Sequence, residues 1–149
     1  MVTLVRTNSD NSDFRKLVQL LDEYLAIMDA EEHAFYAQLN KVDSIRNVVL
    51  AYQNEELMGC GAFKEFDELS VEIKRMFVIP EHRHQGIAAN ILLELEKWAA
   101  ELNYAFTVLE TGKRQPDAIR LYQKAGYHIT ASYGKYANVE NSVCMKKEL

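Results

Sequence analysis

The stretch Met76-Phe77-Val78-Ile79-Pro80-Glu81-His82-Arg83-His84-Gln85-Gly86-Ile87-Ala88 carries the clearest chemistry in this chain. A strand-like run ends at Pro80, basic side chains follow in a short turn, and a helical apolar period opens at a glycine beside small residues. The first N–H groups of a helix lack intrahelical partners and sit at the positive end of its dipole. Gly86 and Ala88 allow a ligand close to those amides, and Arg83 adds a full positive charge. Together they suit a phosphate or pyrophosphate. The same residues also make an ordinary strand-to-helix turn with a surface arginine. The chain contains neither G-x-x-x-x-G-K-(S/T) nor a helix-opening G-x-G-x-x-G, so any anion held here is held differently from a P-loop or a dinucleotide fold.

Other reactive side chains point to less. His82 and His84 have metal-like types, but no third ligand stands at a fixed spacing and His84 falls inside the anion turn, so no metal is expected. Cys60 and Cys144 are 84 positions apart, a spacing typical of neither metal nor redox pairs, and are expected to be buried free thiols of a reducing compartment.

The elements that must position this segment follow from periodicity. Val2 to Val5 reads as a short strand, and the capping cluster Asn8 to Asp13 precedes a helix whose stripe is Phe14, Leu17, Val18, Leu21, Tyr24, Leu25 and Met28. A second, shorter helix is expected over Ala30 to Asn40. Strands are expected over Asn47 to Gln53, Leu57 to Phe66 and Ser70 to Ile79, the first two forming a hairpin across Asn54-Glu55-Glu56. Lys74-Arg75 interrupts the third, as a bulge, the wet floor of a cleft, or an exposed strand face would. A helix from Ile87 to Leu102, with Trp98 in its core-facing stripe, leads to a strand at Tyr104 to Glu110. Pro116 and Gly126 suit the first position and the end of a further helix, and strands at Tyr127 to Thr130 and Ser142 to Lys147 close the chain around a loop containing Tyr133 and Tyr136.

Against this background two motifs become specific. Arg83-His84-Gln85-Gly86-Ile87-Ala88 resembles the (Q/R)-x-x-G-x-(G/A) motif of the GNAT superfamily of acetyl-CoA-dependent N-acetyltransferases, and lies between a strand and a helix as it does there. Ala118-Ile119-Arg120-Leu121-Tyr122-Gln123-Lys124-Ala125-Gly126-Tyr127 is similar to that family's A-x-x-L-Y-x-x-x-G-(F/Y) helix. The resemblance covers essentially the whole chain and is densest from Glu72 to Tyr127. Leu109-Glu110-Thr111-Gly112 and Ser142-Val143-Cys144-Met145 are similar to a bacterial, largely uncharacterised subgroup. The resemblance implies one α/β domain over residues 1–149, with a mixed, mostly antiparallel sheet flanked by helices. It also implies direct acetyl transfer from acetyl-CoA, used as co-substrate without a metal, to an amine.

It further implies roles by position. Backbone groups of Met76 and Val78, with Phe77 between them, would meet the pantetheine arm as an added strand meets a sheet edge. The turn from Arg83 through His84, Gln85, Gly86, Ile87, Ala88 and Ala89 would hold the pyrophosphate, with Gln115 and Lys124 as further cofactor contacts. Tyr122 would reach the sulfur. Ala88 stands where many members have Gly, and Gln115 where many have Asn, which puts a side-chain contact from Gln115 in question.

An amine attacking a thioester needs an unprotonated nucleophile, a stabilised oxyanion and a stabilised thiolate. The family pattern assigns the oxyanion to a backbone N–H near Val78 and the leaving group to Tyr122. With reference pKa values of about 10 for phenol and 8.5 for thiol, a strengthening hydrogen bond describes Tyr122 better than full proton transfer. Tyr122 also suits a core position of its helix. Glu72, Glu110 and a relaying water are the base candidates. Glu72 equally suits pairing with Lys74, and Glu110 substrate positioning.

The acceptor is expected to be a small primary amine or an amino-acid-like molecule. A peptide amine, or a non-catalytic acyl-CoA-binding module, are the alternatives. The net charge of −5 excludes a bulk nucleic-acid binder and favours cationic small molecules through long-range steering. Uncharged apolar runs such as Val48 to Tyr52 are far below the roughly 20 residues that span a bilayer, and no secretory signal is expected. A cytoplasmic protein is expected, with homodimerisation common for such folds.

Overall fold

The computed structural model describes residues 2–29, 45–113, 115–131 and 142–149. The helix expected at Ala30 to Asn40 and the loop with Tyr133 and Tyr136 lie outside them. Strands β1 (Val2–Thr7), β2 (Asn47–Gln53), β3 (Glu56–Glu65), β4 (Ser70–Val78), β5 (Phe106–Gly112), β6 (His128–Thr130) and β7 (Ser142–Glu148) form one sheet in the order β1-β2-β3-β4-β5-β7-β6. Among them β4 and β5 pair in parallel and every other pair is antiparallel. Helices α1 (Ser12–Asp29), α2 (Ile87–Glu101) and α3 (Pro116–Lys124) supply its faces.

Local chemistry explains the boundaries. Asn11 caps α1, its Oδ1 accepting from the amides of Asp13 at 2.8 Å and Phe14 at 3.1 Å. The β2–β3 hairpin turns on Asn54 and Glu55, both with positive φ (52° and 67°), the twist-compatible two-residue turn. Pro116 opens α3, where its missing N–H has no partner to lose.

Alternation along the strands sorts the core into two layers. Val49, Ala51, Val71, Ile73, Leu109 and Met145 face α2 and α3, whereas Val48, Leu50, Cys60 and Ala62 face Phe14, Leu17 and Leu21 of α1. Cys60 and Cys144 are buried free thiols, as expected from their spacing. Trp98 is half-buried in its helix, edge-on to Phe63 with centroids 5.7 Å apart and covered by Arg6. No helix among the described residues is long and apolar enough to cross a membrane.

Candidate active site

The site begins where the two parallel strands part. Their pairing ends at Ile73 and Leu109, yet β4 continues to Val78 and β5 to Gly112. A β-bulge drives the divergence: Arg75 and Met76 stand opposite the single residue Gly61, and Arg75 adopts φ 58°. The extra residue flips the alternation, so Met76 and Val78 join the α2 layer and Phe77 the α1 layer. The bulge falls at the charged interruption Lys74-Arg75, one of the three arrangements that such a pair in a strand allows.

Neighbouring groups hold the bulge in place. The Arg75 guanidinium, its side chain 4% exposed, donates to Asp22 of α1 at 2.9 Å, and its carbonyl accepts from the Cys60 thiol at 3.3 Å. Burial pushes that thiol up to about 12 against the smaller opposing effect of Arg75, so Cys60 is inert as a nucleophile. Two glycines let β4 press against β3. A Cβ on Gly59 would lie 2.7 Å from the Phe77 carbonyl, and one on Gly61 would overlap Met76 Sδ.

The turn after β4 then presents the start of α2. The Ile79 amide donates to Met58 of β3 at 2.9 Å, so by alternation the Val78 backbone groups face away from β3, into the gap. A short 3-10 turn (Pro80–His82) follows, then His84 and Gly86 with φ of 65° and 80°. Gly86 caps α2 without any side-chain cap, and the first helical bond runs from Asn90 to the Gly86 carbonyl at 3.1 Å. The amides of Ile87, Ala88 and Ala89 therefore have no helical acceptor. A Cβ on Gly86 would meet nothing within 4 Å, so these uncapped amides border open space. That cradle fits a diphosphate.

Arg83 lines the cleft with these residues. Its Nε donates to the Val78 carbonyl at 2.9 Å, and its guanidinium lies 5.0 Å from the Tyr24 ring centroid and 5.5 Å from that of Phe77. A carbonyl and two aromatic faces thus hold its charge at the border of the cleft.

Tyr122 reaches the gap from the opposite face and is 6% exposed. Its helix ends in a complete Schellman motif: the Tyr127 amide donates to the Tyr122 carbonyl at 2.9 Å and that of Gly126, φ 100°, to Gln123 at 3.1 Å. Burial, with the Glu110 carboxylate adding to it, holds the Tyr122 phenol above its ordinary range. Glu110 is the first β5 residue past the last β4–β5 pair, and Ser142 Oγ donates to its Oε1 at 3.1 Å. Glu72 sits earlier on β4, within 3.4 Å of the Lys74 ammonium, the pairing that its spacing allowed.

These pieces border a cleft of about 610 Å³. Of the residues singled out by sequence, Met76, Phe77, Val78, Arg83, His84, Gly86, Ile87, Ala88, Ala89, Gln115 and Tyr122 line it. Gln85, Lys124, Glu72 and Glu110 are not among the described lining residues. Gln85 and Lys124 are exposed. Leu21, Tyr24, His82, Pro116, Asp117, Ala118 and Leu121 line it unanticipated. The apolar stripes that place α1 and α3 were visible, but a stripe says nothing about which of its members overhang a gap in the sheet. His82 is 3.3 Å from Glu56 Oε1, and no group of three or more His, Cys, Asp or Glu among the described residues could hold a metal ion.

Comparison with known proteins converges with this geometry. Residues 14–127 match the Acetyltransferase (GNAT) family. An uncharacterised N-acetyltransferase of Bacillus subtilis strain 168 is 31% identical over 146 residues, 94% of this chain and 97% of that protein. The IAA acetyltransferase of Azospirillum brasilense is 32% identical over 151 residues, 99% of this chain and 98% of that protein. A crystal structure from Klebsiella pneumoniae, assigned as an acyl-CoA N-acyltransferase, superposes with a TM-score of 0.85 at 27% identity, covering 100% of this chain and 98% of the other.

Proposed function

The chain belongs to the GNAT acetyltransferase family, and on that footing we propose that it moves the acetyl group of acetyl-CoA directly to the primary amine of a small or amino-acid-like acceptor. One observation carries this proposal: the uncapped amides of α2 and the buried end of Tyr122 border one cleft at the parted strands β4 and β5. When bound, acetyl-CoA supplies an activated thioester and a diphosphate of the charge that such amides favour.

Each residue then has a defined task. The amides of Gln85, Gly86, Ile87, Ala88 and Ala89 hold the diphosphate, and the Val78 backbone offers strand-like pairing to an amide-bearing arm. Tyr122 keeps its proton on Oη, because burial and Glu110 raise its phenol, and so remains a donor for developing negative charge. Glu110 positions the acceptor ammonium or takes its proton, directly or through water. Glu72, held by Lys74, is the weaker base candidate. The inert Cys60 gives no support to an acyl-cysteine route. We place the enzyme in the cytoplasm, where reducing conditions keep both buried thiols free.

The test is thiol release from acetyl-CoA across amines, amino acids, aminoglycosides and peptides, with the parent and Tyr122→Phe. Turnover of a small amine is expected, and the variant should lose about 10²- to 10⁴-fold in kcat with acetyl-CoA binding retained. Binding without turnover of any amine would make the protein a binding module. Turnover of peptides alone would reassign the acceptor.

A further inference from the structure

We propose that Glu96, a carboxylate set in the apolar stripe of α2, is a positioning residue for acetyl transfer: it anchors Tyr127, which in turn fixes the ring of Tyr122. This rests on the assignment of Tyr122 to the leaving group above. Tyr122 lines the cleft, and its hydroxyl has no hydrogen-bond partner among the described residues, so packing alone sets where this donor points. The ring of Tyr127 packs edge-on against it, with centroids 5.8 Å apart. An edge-to-face pair keeps one geometry only where the supporting ring is itself held.

Glu96 holds it from within the core. The buried face of α2 is otherwise Ile87, Ile91, Leu92, Leu95 and Ala99, and Glu96 is 6% exposed among them. One of its oxygens accepts from the Tyr127 hydroxyl at 2.8 Å and the other from the Lys147 ammonium at 2.9 Å. Thr107 Oγ1 lies 2.7 Å from the same hydroxyl. The stem of Lys147 crosses the end of α3, where a Cβ on Gly126 would stand 3.5 Å from its Cε. Net stability is a weak reason for a carboxylate here. Desolvation offsets much of what a buried ion pair gains, and a well-packed aliphatic residue in its place is often neutral or better. An aliphatic residue cannot, however, select one position for the Tyr127 hydroxyl. Glu96, Tyr127 and Lys147 are not among the described residues lining the cleft, so their route to the reaction is through Tyr122.

The experiment measures thiol release and acetyl-CoA binding for Glu96→Leu, Glu96→Gln and Tyr127→Phe, each alone and combined with Tyr122→Phe. Leu suits the surrounding stripe, and Tyr127→Phe keeps the ring while removing its bond to Glu96, so two independent variants report on one link. Glu96→Leu and Tyr127→Phe should each lower kcat at least about tenfold, while KM and Kd for acetyl-CoA move less than about threefold. Glu96→Gln keeps an acceptor for Tyr127 and should lose less than about threefold in kcat. With Tyr122→Phe already present, the same changes should cost less than about twofold, because the group they position no longer donates. Unchanged kcat in both Glu96→Leu and Tyr127→Phe would overturn the inference. So would an equal loss with and without Tyr122→Phe, which would place the effect elsewhere than Tyr122. NMR of protein carrying carbon-13 at tyrosine Cζ, with the Tyr122 signal assigned by its absence in Tyr122→Phe, separates this inference from acetyl transfer itself. A sharp Tyr122 resonance that broadens or splits in Glu96→Leu would uphold Glu96 as the anchor of Tyr122 even if no amine were acetylated. The same sharp resonance in both proteins would overturn it.

Discussion

Tyr127 stands edge-on to Tyr122, ring centroids 5.8 Å apart, while its amide closes α3 onto the Tyr122 carbonyl. The side chain and the backbone of one residue thus fix the tyrosine assigned to the leaving group. Tyr127 is fixed in turn: its hydroxyl donates to Glu96 of α2 at 2.8 Å and lies 2.7 Å from Thr107 of β5. Lys147 of β7 donates to the other Glu96 oxygen at 2.9 Å. A buried carboxylate satisfied at both oxygens ties three elements to the end of α3.

Removing the Tyr127 hydroxyl should therefore be expensive relative to its size. Tyr127→Phe keeps the ring against Tyr122 but leaves one Glu96 oxygen buried without its donor. A loss of about 1–3 kcal/mol in urea-denaturation stability is expected. A loss below about 0.5 kcal/mol would show that the network contributes little.

Alkaline pH should unfold the protein progressively. Burial raises Cys60 from 9.0 to about 12, burial and Asp13 raise Tyr52 from 10.0 to about 12, and Tyr122 and Tyr127 are raised further. Above pH 9 the unfolded chain loses protons that the folded chain retains, so the stabilisation present below that pH is lost as pH rises towards 12. Urea midpoints should hold from pH 7 to 8.5 and fall between pH 9 and 11. Midpoints flat to pH 11 would contradict these shifts.

The two glycines of β3 should both resist a side chain, for different reasons. A Cβ at Gly59 meets the backbone carbonyl of Phe77, which cannot yield without moving β4, whereas at Gly61 it meets the sulfur of Met76 and the packed α2 side chains Ile91 at 2.8 Å and Leu95 at 2.9 Å. Gly59→Ala should be destabilised by about 1–3 kcal/mol and raise KM for acetyl-CoA through Val78, and Gly61→Ala should lose at least as much stability with a smaller change in KM. A loss below about 0.5 kcal/mol at Gly61 would mean that α2 gives way easily.

At Gly86 the backbone, not space, sets the limit. Its φ of 80° makes a Cβ cost about 1–2 kcal/mol, yet that Cβ would meet no protein atom and would project where the cradle is open. Gly86→Ala should fold with a modest drop in Tm and lose at least about tenfold in acetyl-CoA affinity by calorimetry. Unchanged affinity would remove the diphosphate from this turn.

Much of this was legible in the residues. Period-2 and period-3.6 patterns placed β2 to β5 and the three helices, since those faces are buried and polarity must alternate with burial. Pro116, Gly126 and the basic interruption at Lys74-Arg75 marked a helix start, a helix end and the bulge through local backbone chemistry. The orientation of Arg83 was not legible, because it depends on Tyr24, which is 59 positions earlier and is brought alongside by packing alone. Glu96 could have been noticed: it lies four residues after Leu92 and three before Ala99, inside an apolar stripe, where a charge signals a buried partner.

The central claim is that the opening amides of α2 grip the diphosphate and so aim the thioester at Tyr122, and amide NMR tests it most directly. On titration with acetyl-CoA, the N–H resonances of Gln85, Gly86, Ile87, Ala88 and Ala89 should shift together with one midpoint, accompanied by Val78. If those amides stay still while others move as acetyl-CoA binds, the account is contradicted.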